Sequence, residues 1–438
     1  NVRISFKSIF KHFENRLKNE DSTLAKKYIE QFLSYFDQYP ELKESIDDFE
    51  IINKYETQIR FLFDDLFPNM LSENEIKAAS IPYRHFVFNR SKRLQKILDE
   101  AGSDYELKIR NFDYKQIYIH ACVLILNHHY GYDIDFFRPK FYDIPDKDGN
   151  MRHYRLFINA DYVDLSKTSS APEINEEVID ELIKNPEDLE LWKEKFPPNS
   201  YNFDGFTILN ITDVTIDEEI SKFKSILLEG EIDHPDISKK LRRIFRNIFN
   251  LEDLDFGFSI FDEETKTFYR VSPNINSFIL DSELSKNCDS TMCSNTLHQL
   301  VENHKHFSIP DLQVYAENTN KDQLSQTLMR KGYKSCLLTP VIKKHKLIGV
   351  LGLVSKKKNA LNVINAEKLE DFIPNLVLAL ERGVESKHNR IKAIIQQECT
   401  SIHKSVEWKF EEEAQRFLES RQKQENASFK DISFNNVY

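Results

Sequence analysis

The side chains best suited to chemistry are few and scattered. His120, Cys122, His128 and His129 share the short stretch "IHACVLILNHH", and imidazole and thiolate are the groups a transition metal would take. Core and helix-end histidines are the commoner meaning of such a group. Cys288 and Cys293 in "NCDSTMC" have neither a second cysteine pair nor a neighbouring histidine, a poor arrangement for zinc. The 10 glycines form no Gly-x-x-x-x-Gly-Lys phosphate loop and no Gly-x-Gly-x-x-Gly turn. Asp255-Phe256-Gly257 stands without the catalytic loop that would give that triplet meaning, and His388 in "KHNRIKA" reads as an exposed helical side chain. With no acid, base and nucleophile converging, the expectation is no enzyme, no catalytic residue, no metal and no cofactor.

The bulk numbers narrow the class. At 438 residues the chain is too long for one ordinary core, so two or three domains are expected. Hydrophobic residues at 40% and aromatics at 12% supply sizeable cores. With 71 acidic against 60 basic residues and a net charge of −11, a general nucleic-acid partner is disfavoured. The basic block "SKKKNA" is short and reads as a solvated strand end. No apolar run approaches a bilayer span, and the amphipathic start "NVRISFKSIFKHFENR" is no signal peptide. Five scattered cysteines fit a reducing compartment. A soluble, cytoplasmic protein without nucleic-acid or membrane partners is expected, and Asn1 in place of Met reads as the start of a piece cut from a longer chain.

Along the chain, the first hundred residues read as helices: Phe6, Ile9, Phe10, Phe13 and Leu17 recur at helical spacing, as do Tyr28, Phe32, Leu33 and Phe36. Ser22 or Thr23 is an N-cap, Pro40 opens a restart and Pro68 closes a third helix. From Phe112 the texture changes. "YKQIYIHACVLILNHHYGYD" is ambiguous by period alone, and Asp148-Gly149 marks a hairpin with Tyr154, Leu156 and Ile158 on one face. A polar helical insertion from "APEINEE" to "KEKFP" follows, then a strand from Phe206 to Ile211 and a charged helix.

That strand and its exit resemble the end of a PAS sensory domain, on the triplet Asp213, Val214 and Thr215. The resemblance implies a signal passed to the next helix, which Asp213 would cap. From Asp236 to Ser386 the order is an amphipathic helix (Leu241, Ile244, Ile248, Phe249), a hairpin turning at "DEETK" and a helix with Cys293, Leu297, Leu300 and Val301. Then come a short strand into Pro310-Asp311, a helix stopped by Gly332, two strands around "KKHK" and a long helix. Ser335, Leu338, Pro340, Val341, Ile348, Gly349, Val350, Leu351 and Leu353 make this segment resemble a GAF domain. The missing Cβ of Gly349 and Gly352 lets a helix or ligand approach the sheet. In that family the cavity holds a cyclic nucleotide, a bilin, a haem or a small metabolite, or is filled by side chains. The combined order is distantly similar to phytochromes, but no cysteine precedes Cys122, and Asp289 follows Cys288 as Ser294 follows Cys293. The cyclic-nucleotide subgroup's pattern begins at Asn320 and does not continue in register.

The fold class expected is therefore α+β: a helical region over 1–100, a PAS-like antiparallel sheet domain over 101–230, a GAF domain over 231–386, a signalling helix over 387–425, and the start of a truncated further domain over 426–438. The resemblance implies a bacterial sensory or regulatory protein whose GAF domain binds a small ligand or partner and relays it through the output helix. The alternative is a scaffold or dimerisation protein with filled pockets. Family topology and side-chain alternation put Phe258, Tyr269, Cys293, Leu297, Pro310, Asp311 and Leu337 around the GAF pocket, with Asp311 orienting a ligand. From Leu376 through Leu380, Val384, Ile391 and Ile395 to Phe417 a mixed three-and-four spacing, interrupted by Lys387 and Glu398, reads as an adjustable coiled-coil seam and a homodimer. The purified protein is expected to be colourless; a stoichiometric visible absorption band would show that a bilin or haem is bound after all.

Overall fold

Several helix starts are fixed by one short polar side chain each. Ser22 accepts from the Ala25 N–H at 3.4 Å, Asp113 from Gln116 at 2.9 Å, Asn175 from Val178 at 3.0 Å and Asp188 from Leu191 at 3.1 Å, each satisfying a donor that has no partner inside its helix. These caps belong to a computed structural model that describes residues 1–84, 86–135, 138–229, 235–263, 266–270, 274–280, 298–319, 322–398, 409–410, 413–414 and 416–417. It divides into two units, Asn1–Thr215 and Ile216–Tyr438.

The first unit runs β1 (Val2–Arg3), α1 (Lys7–Asn19), α2 (Thr23–Phe36), α3 (Glu50–Lys54), α4 (Glu56–Leu62), β2 (Ile76–Ser80), β3 (Val87–Arg90), α5 (Lys92–Ala101), α6 (Tyr114–Tyr130), β4 (Lys140–Pro145), β5 (Met151–Asn159), β6 (Val163–Lys167), α7 (Glu176–Lys184), α8 (Leu189–Lys195), β7 (Tyr201–Gly205) and β8 (Thr207–Asp213). Five strands form an antiparallel sheet in the order β3-β2-β8-β5-β4, and β1-β7-β6 form a smaller one. The aromatic stripe of the first helices is core: Phe6 meets Phe63 edge-on at 5.7 Å, Phe63 meets Phe206 at 4.8 Å, and Tyr162 stacks on Phe206 at 4.8 Å. On the other side of the sheet, Ile76, Leu94, Tyr142, Leu156, Leu209 and Ile211 form a second core under α5.

Two readings of the sequence change here. The first hundred residues are not all helical, because β2 and β3 enter the five-stranded sheet beside its last strand, β8. Strand β2 is buried on both faces, Ala79 in the aromatic core and Ile76 and Ala78 in the other, so it shows no alternation to read. The ambiguous apolar stretch is α6, ended by Gly131 at φ +76° with its N–H on the Leu126 carbonyl, a left-handed cap glycine adopts freely. The polar insertion supplies α7 and α8, which bury Ile179, Leu182 and Trp192 with Cys122 and Leu126 of α6.

The second unit contains α9 (Thr215–Glu229), which begins at the last residue of the first, α10 (Pro235–Phe249), β9 (Asp255–Asp262), β10 (Thr267–Arg270), a short helical turn at His298–Glu302, β11 (Phe307–Ile309), α11 (Leu312–Asn318), α12 (Gln323–Arg330), β12 (Ser335–Lys343), β13 (Lys346–Ser355), α13 (Val363–Ala366) and α14 (Ile373–Glu398). Its antiparallel sheet has the order β10-β9-β13-β12-β11. The β12–β13 turn holds Lys344 and His345 at φ +46° and +65°, the left-handed pair that a tight hairpin needs. Helix and antiparallel sheet in both units make the fold class α+β. Helix α14 passes Gly383 without interruption, and Leu376 and Leu380 of the expected seam lie in this unit's own core. Ala414 and Phe417 near the seam's end are buried too, while residues 399–408 of the seam and the tail over 426–438 lie outside the described residues.

Phe206 joins the helical core to the sheet, so Phe206→Ala is expected to destabilise the first unit by about 3–5 kcal/mol, seen as an earlier urea transition of the buried Trp192 fluorescence. An unchanged midpoint would mean that the aromatic cluster does not hold these layers together.

Candidate functional site

The two faces of the second unit's sheet are built differently. Phe256, Phe258, Leu337, Leu351 and Leu353 share one face and pack under α10 and α14 with Leu241, Phe245, Phe372 and Leu376. Cys336, Leu338, Val350 and Val354 share the other and pack with Phe278, Leu300, Phe307, Leu312 and Leu328. That second core comes from the connections leading to β11 and β12, and it is the face on which a pocket opposite the two long helices would form.

On that face Gly257 and Gly352 stand opposite one another in neighbouring strands. Segment 274–280 lies across them. The Phe258 N–H donates to the Asn276 carbonyl at 2.8 Å, Ser259 and Ser277 share a hydroxyl hydrogen bond of 2.6 Å, and the Leu280 N–H donates to Ser277 Oγ at 3.1 Å. A Cβ on Gly257 would fall 2.7 Å from the Asn276 oxygen, and one on Gly352 would fall 3.1 Å from the Phe278 ring. The ring of Phe278 therefore covers the place where both strands lack side chains. Tyr333 meets it edge-on at 5.9 Å and donates to Asp255 at 3.3 Å; burial, then the Asp255 carboxylate, push its phenol up to about 12. The Cys336 thiol, wholly buried, is likewise pushed up to about 12 and is no ready thiolate.

The expected strand residues share one face, but it is the helix side and not the covered one. Phe258 and Leu337 point to the helix side, and Tyr269, which pairs with Ile260 on that same face, is 37% exposed. The error is one of parity: a one-residue slip transfers a strand's whole side-chain set to the opposite face, and β12 is buried on both faces over most of its length. Pro310 is exposed at the sheet's end. Asp311 caps α11 by accepting from the Gln313 N–H at 3.0 Å and pairs with Lys358 at 2.8 Å; that lysine above all holds its carboxyl below the usual range. Cys293 and Leu297 lie outside the described residues. The residues that do face the covered side, Cys336, Leu338, Val350 and Phe278, carried one usable sign, the glycine at position 352 inside an otherwise apolar strand.

The first unit offers two further features. A groove of about 550 Å³ beside α5 is lined by Val87, Arg90, Leu98, Asp99, Tyr105 and Leu107 among others. Behind it, the Asp143 carboxylate binds the Arg110 guanidinium, with Nε at 2.7 Å, and His153 Nδ1 at 2.6 Å. Burial pushes this carboxyl up, and the hydrogen bonds from Arg110 and His153 outweigh it, so it sits below the ordinary range. At the end of β8 Asp213 accepts from both the N–H and the hydroxyl of Thr215, at 2.9 and 2.6 Å, and from Arg152 at 2.8 Å, while Thr215 Oγ1 accepts from the His153 N–H at 2.9 Å. The His120 group is dispersed along α6: Cys122 is buried, His128 and His129 are exposed, and His120 lies against Phe112 at 5.3 Å. Burial, then Lys140 and Arg138, push the His120 imidazole down to about 4.

No family model matches the chain, and no curated protein matches it. Among solved structures it is similar to the phycoerythrobilin-bound GAF domain of a cyanobacterial phytochrome, at 14% identity over 40% of this chain and 97% of that one, TM-score 0.30. It is similar to the GAF domain of an Acinetobacter phosphoenolpyruvate-protein phosphotransferase, at 11% identity over 40% and 99%, TM-score 0.30. It is also similar to a free methionine-R-sulfoxide reductase of Staphylococcus aureus in complex with substrate, at 15% identity over 38% and 95%, TM-score 0.26. The last of these corrects the sequence-based expectation of no enzyme: the structures to which the chain is similar include a reductase, so that exclusion does not stand.

Gly257→Ala is expected to cost roughly 1–3 kcal/mol and more than Gly352→Ala, because the Asn276 backbone blocks the first while the Phe278 side chain can yield to the second. Equal costs in thermal unfolding would place segment 274–280 away from the sheet.

Proposed function

We propose that this chain is a regulatory protein whose second unit is a GAF domain, taking up a small molecule or partner on the sheet face opposite α10 and α14 and passing the change to α14. The observation that carries this reading is the asymmetry of the sheet. One face is sealed by two long helices; the other is covered by loops and short helices, with a single phenylalanine ring over two facing glycines. Replacing that ring with a flat ligand group needs movement of one short segment, whereas the opposite face would have to part from a helix. Leu376 and Leu380 tie α14 to the same sheet, which supports α14 as the element that responds.

The first unit is read as PAS-like. In support, its last strand lies inside an antiparallel sheet and leaves through Asp213-Val214-Thr215, whose polar contacts close the start of α9. With the sheet strands β2 and β3 included, the PAS-like part begins before residue 101, and the helical region ends correspondingly earlier. The domain sequence proposed is thus a helical region, a PAS-like domain, a GAF domain and an output helix, in an architecture distantly similar to that of phytochromes, working as a homodimer of sensory type.

A second reading is favoured by the same Phe278 ring: a scaffold whose pocket is filled by its own chain. The two are separated by a thermal-shift screen of the full chain and of Phe278→Ala, with mass spectrometry of whatever co-purifies. A ligand present at a hundred times its Kd adds about 2.7 kcal/mol and raises the unfolding temperature by on the order of 5 °C or more. The regulatory reading expects such a shift in the full chain and an altered one in Phe278→Ala. The scaffold reading expects no shift in either, with Phe278→Ala destabilised by about 3–5 kcal/mol.

A further inference from the structure

Basic residues stand at both ends of the β12–β13 hairpin: at the turn, Lys343 and Lys346 are paired with Glu381 and Glu263, and a second group lies at the opposite end. β12 begins and β13 ends there, with Ser335 opposite Ser355. The Lys334 N–H donates to the Ser355 carbonyl at 2.8 Å, and Ser335 Oγ donates to the Lys357 carbonyl at 2.8 Å. These bonds place Lys334, Lys356 and Lys357 within a strand spacing of each other, one turn beyond Arg330 and Lys331. All five cations are exposed, and none forms an ion pair among the described residues. Of the acids nearby, Asp253 accepts from Ser355 Oγ and the Lys356 N–H, Asp255 pairs with Arg242 and Asp311 holds Lys358, while Glu252 is exposed. Such a concentration of positive charge stands out on a chain of net charge −11.

Exposed aliphatic side chains are close to it in sequence: Met329 precedes Arg330, and Val363 and Ile364 of the short helix α13 follow Lys358 by a few residues, Ile364 at 82% exposure. Nucleic acid would reward cations with stacking aromatics, and none of these three is aromatic. Cations interleaved with exposed aliphatics suit a surface in which acyl chains lie just below phosphate and carboxylate headgroups.

We infer that this end of the second unit is a docking surface for an anionic lipid bilayer, with Lys334, Lys356 and Lys357 facing the headgroups and Ile364 entering the interface. This is peripheral contact and needs no spanning segment; among the described residues no helix is long and apolar enough to cross a membrane. It departs from the expectation of no membrane partner, which rested on spanning runs alone. The inference stands whether or not the sheet face binds a ligand.

The test is co-sedimentation of the full chain with phosphatidylcholine vesicles and with vesicles in which about a third of the lipid is phosphatidylserine. Binding is expected only to the second, weakening as salt is raised. The triple variant K334Q/K356Q/K357Q should bind on the order of 100-fold more weakly, and Ile364→Asp about tenfold more weakly, both with unchanged thermal unfolding as evidence that they fold. Equal binding to both vesicles, no binding to either, or indifference to the triple substitution would overturn the inference. So would capture of a DNA duplex that depends on the lysines, ignores Ile364→Asp, and occurs without vesicle binding.

Discussion

The close approach of segment 274–280 to the centre of the second unit's sheet is the constraint on which most of that unit depends. It is possible because neighbouring strands each place a glycine at the same point. Any Cβ at Gly257 would strike the Asn276 carbonyl oxygen at 2.7 Å. With that space free, the segment can pair with β9, the Ser259–Ser277 hydrogen bond can form, and Phe278 can settle over both glycines. The face opposite α10 and α14 then has a lining of its own. Glycine weakens a strand by its backbone entropy, and here the offset is a buried aromatic ring with its dispersion contacts.

In the first unit the corresponding role falls to β8. Its entry residue, Phe206, is packed among Phe6, Phe63 and Tyr162, while its exit residue, Asp213, is held by Thr215 and Arg152. One end of the strand is thus fixed by apolar packing and the other by charge-assisted hydrogen bonds. Burial alone would raise the Asp213 carboxyl; the contacts from Thr215 and Arg152 reverse that and keep it below the ordinary range. An ionised carboxylate at the start of α9 also suits the positive end of that helix.

Elements with a local cause were legible without coordinates. The Asp148-Gly149 turn, the stop at Gly332, the amphipathic α10 and the paired strands around "KKHK" each rest on one or two residues with a conformational preference, and Gly149 and Gly332 do adopt φ +82°. The strand β2 was not legible, because burial on both faces erases its period. The candidate site suffered from the same cause. Alternation correctly grouped Val350 with Gly352 and Leu351 with Leu353, but nothing in β12 said which group Leu337 would join.

That assignment comes from pairing. Leu337 lies opposite Leu353, and Leu353 opposite Phe256, so a single register carries all three to the helix side. Hairpin turns, helix caps and the paired strands around "KKHK" were determined by the amino-acid sequence, because each depends on side chains acting within a few residues of their own backbone. Which face became the covered one, which aromatic ring filled it, and which lysines came to share one sheet end were decided only by tertiary structure. Those outcomes depend on strands distant in sequence meeting in one register, and a shift of one residue would exchange the two faces.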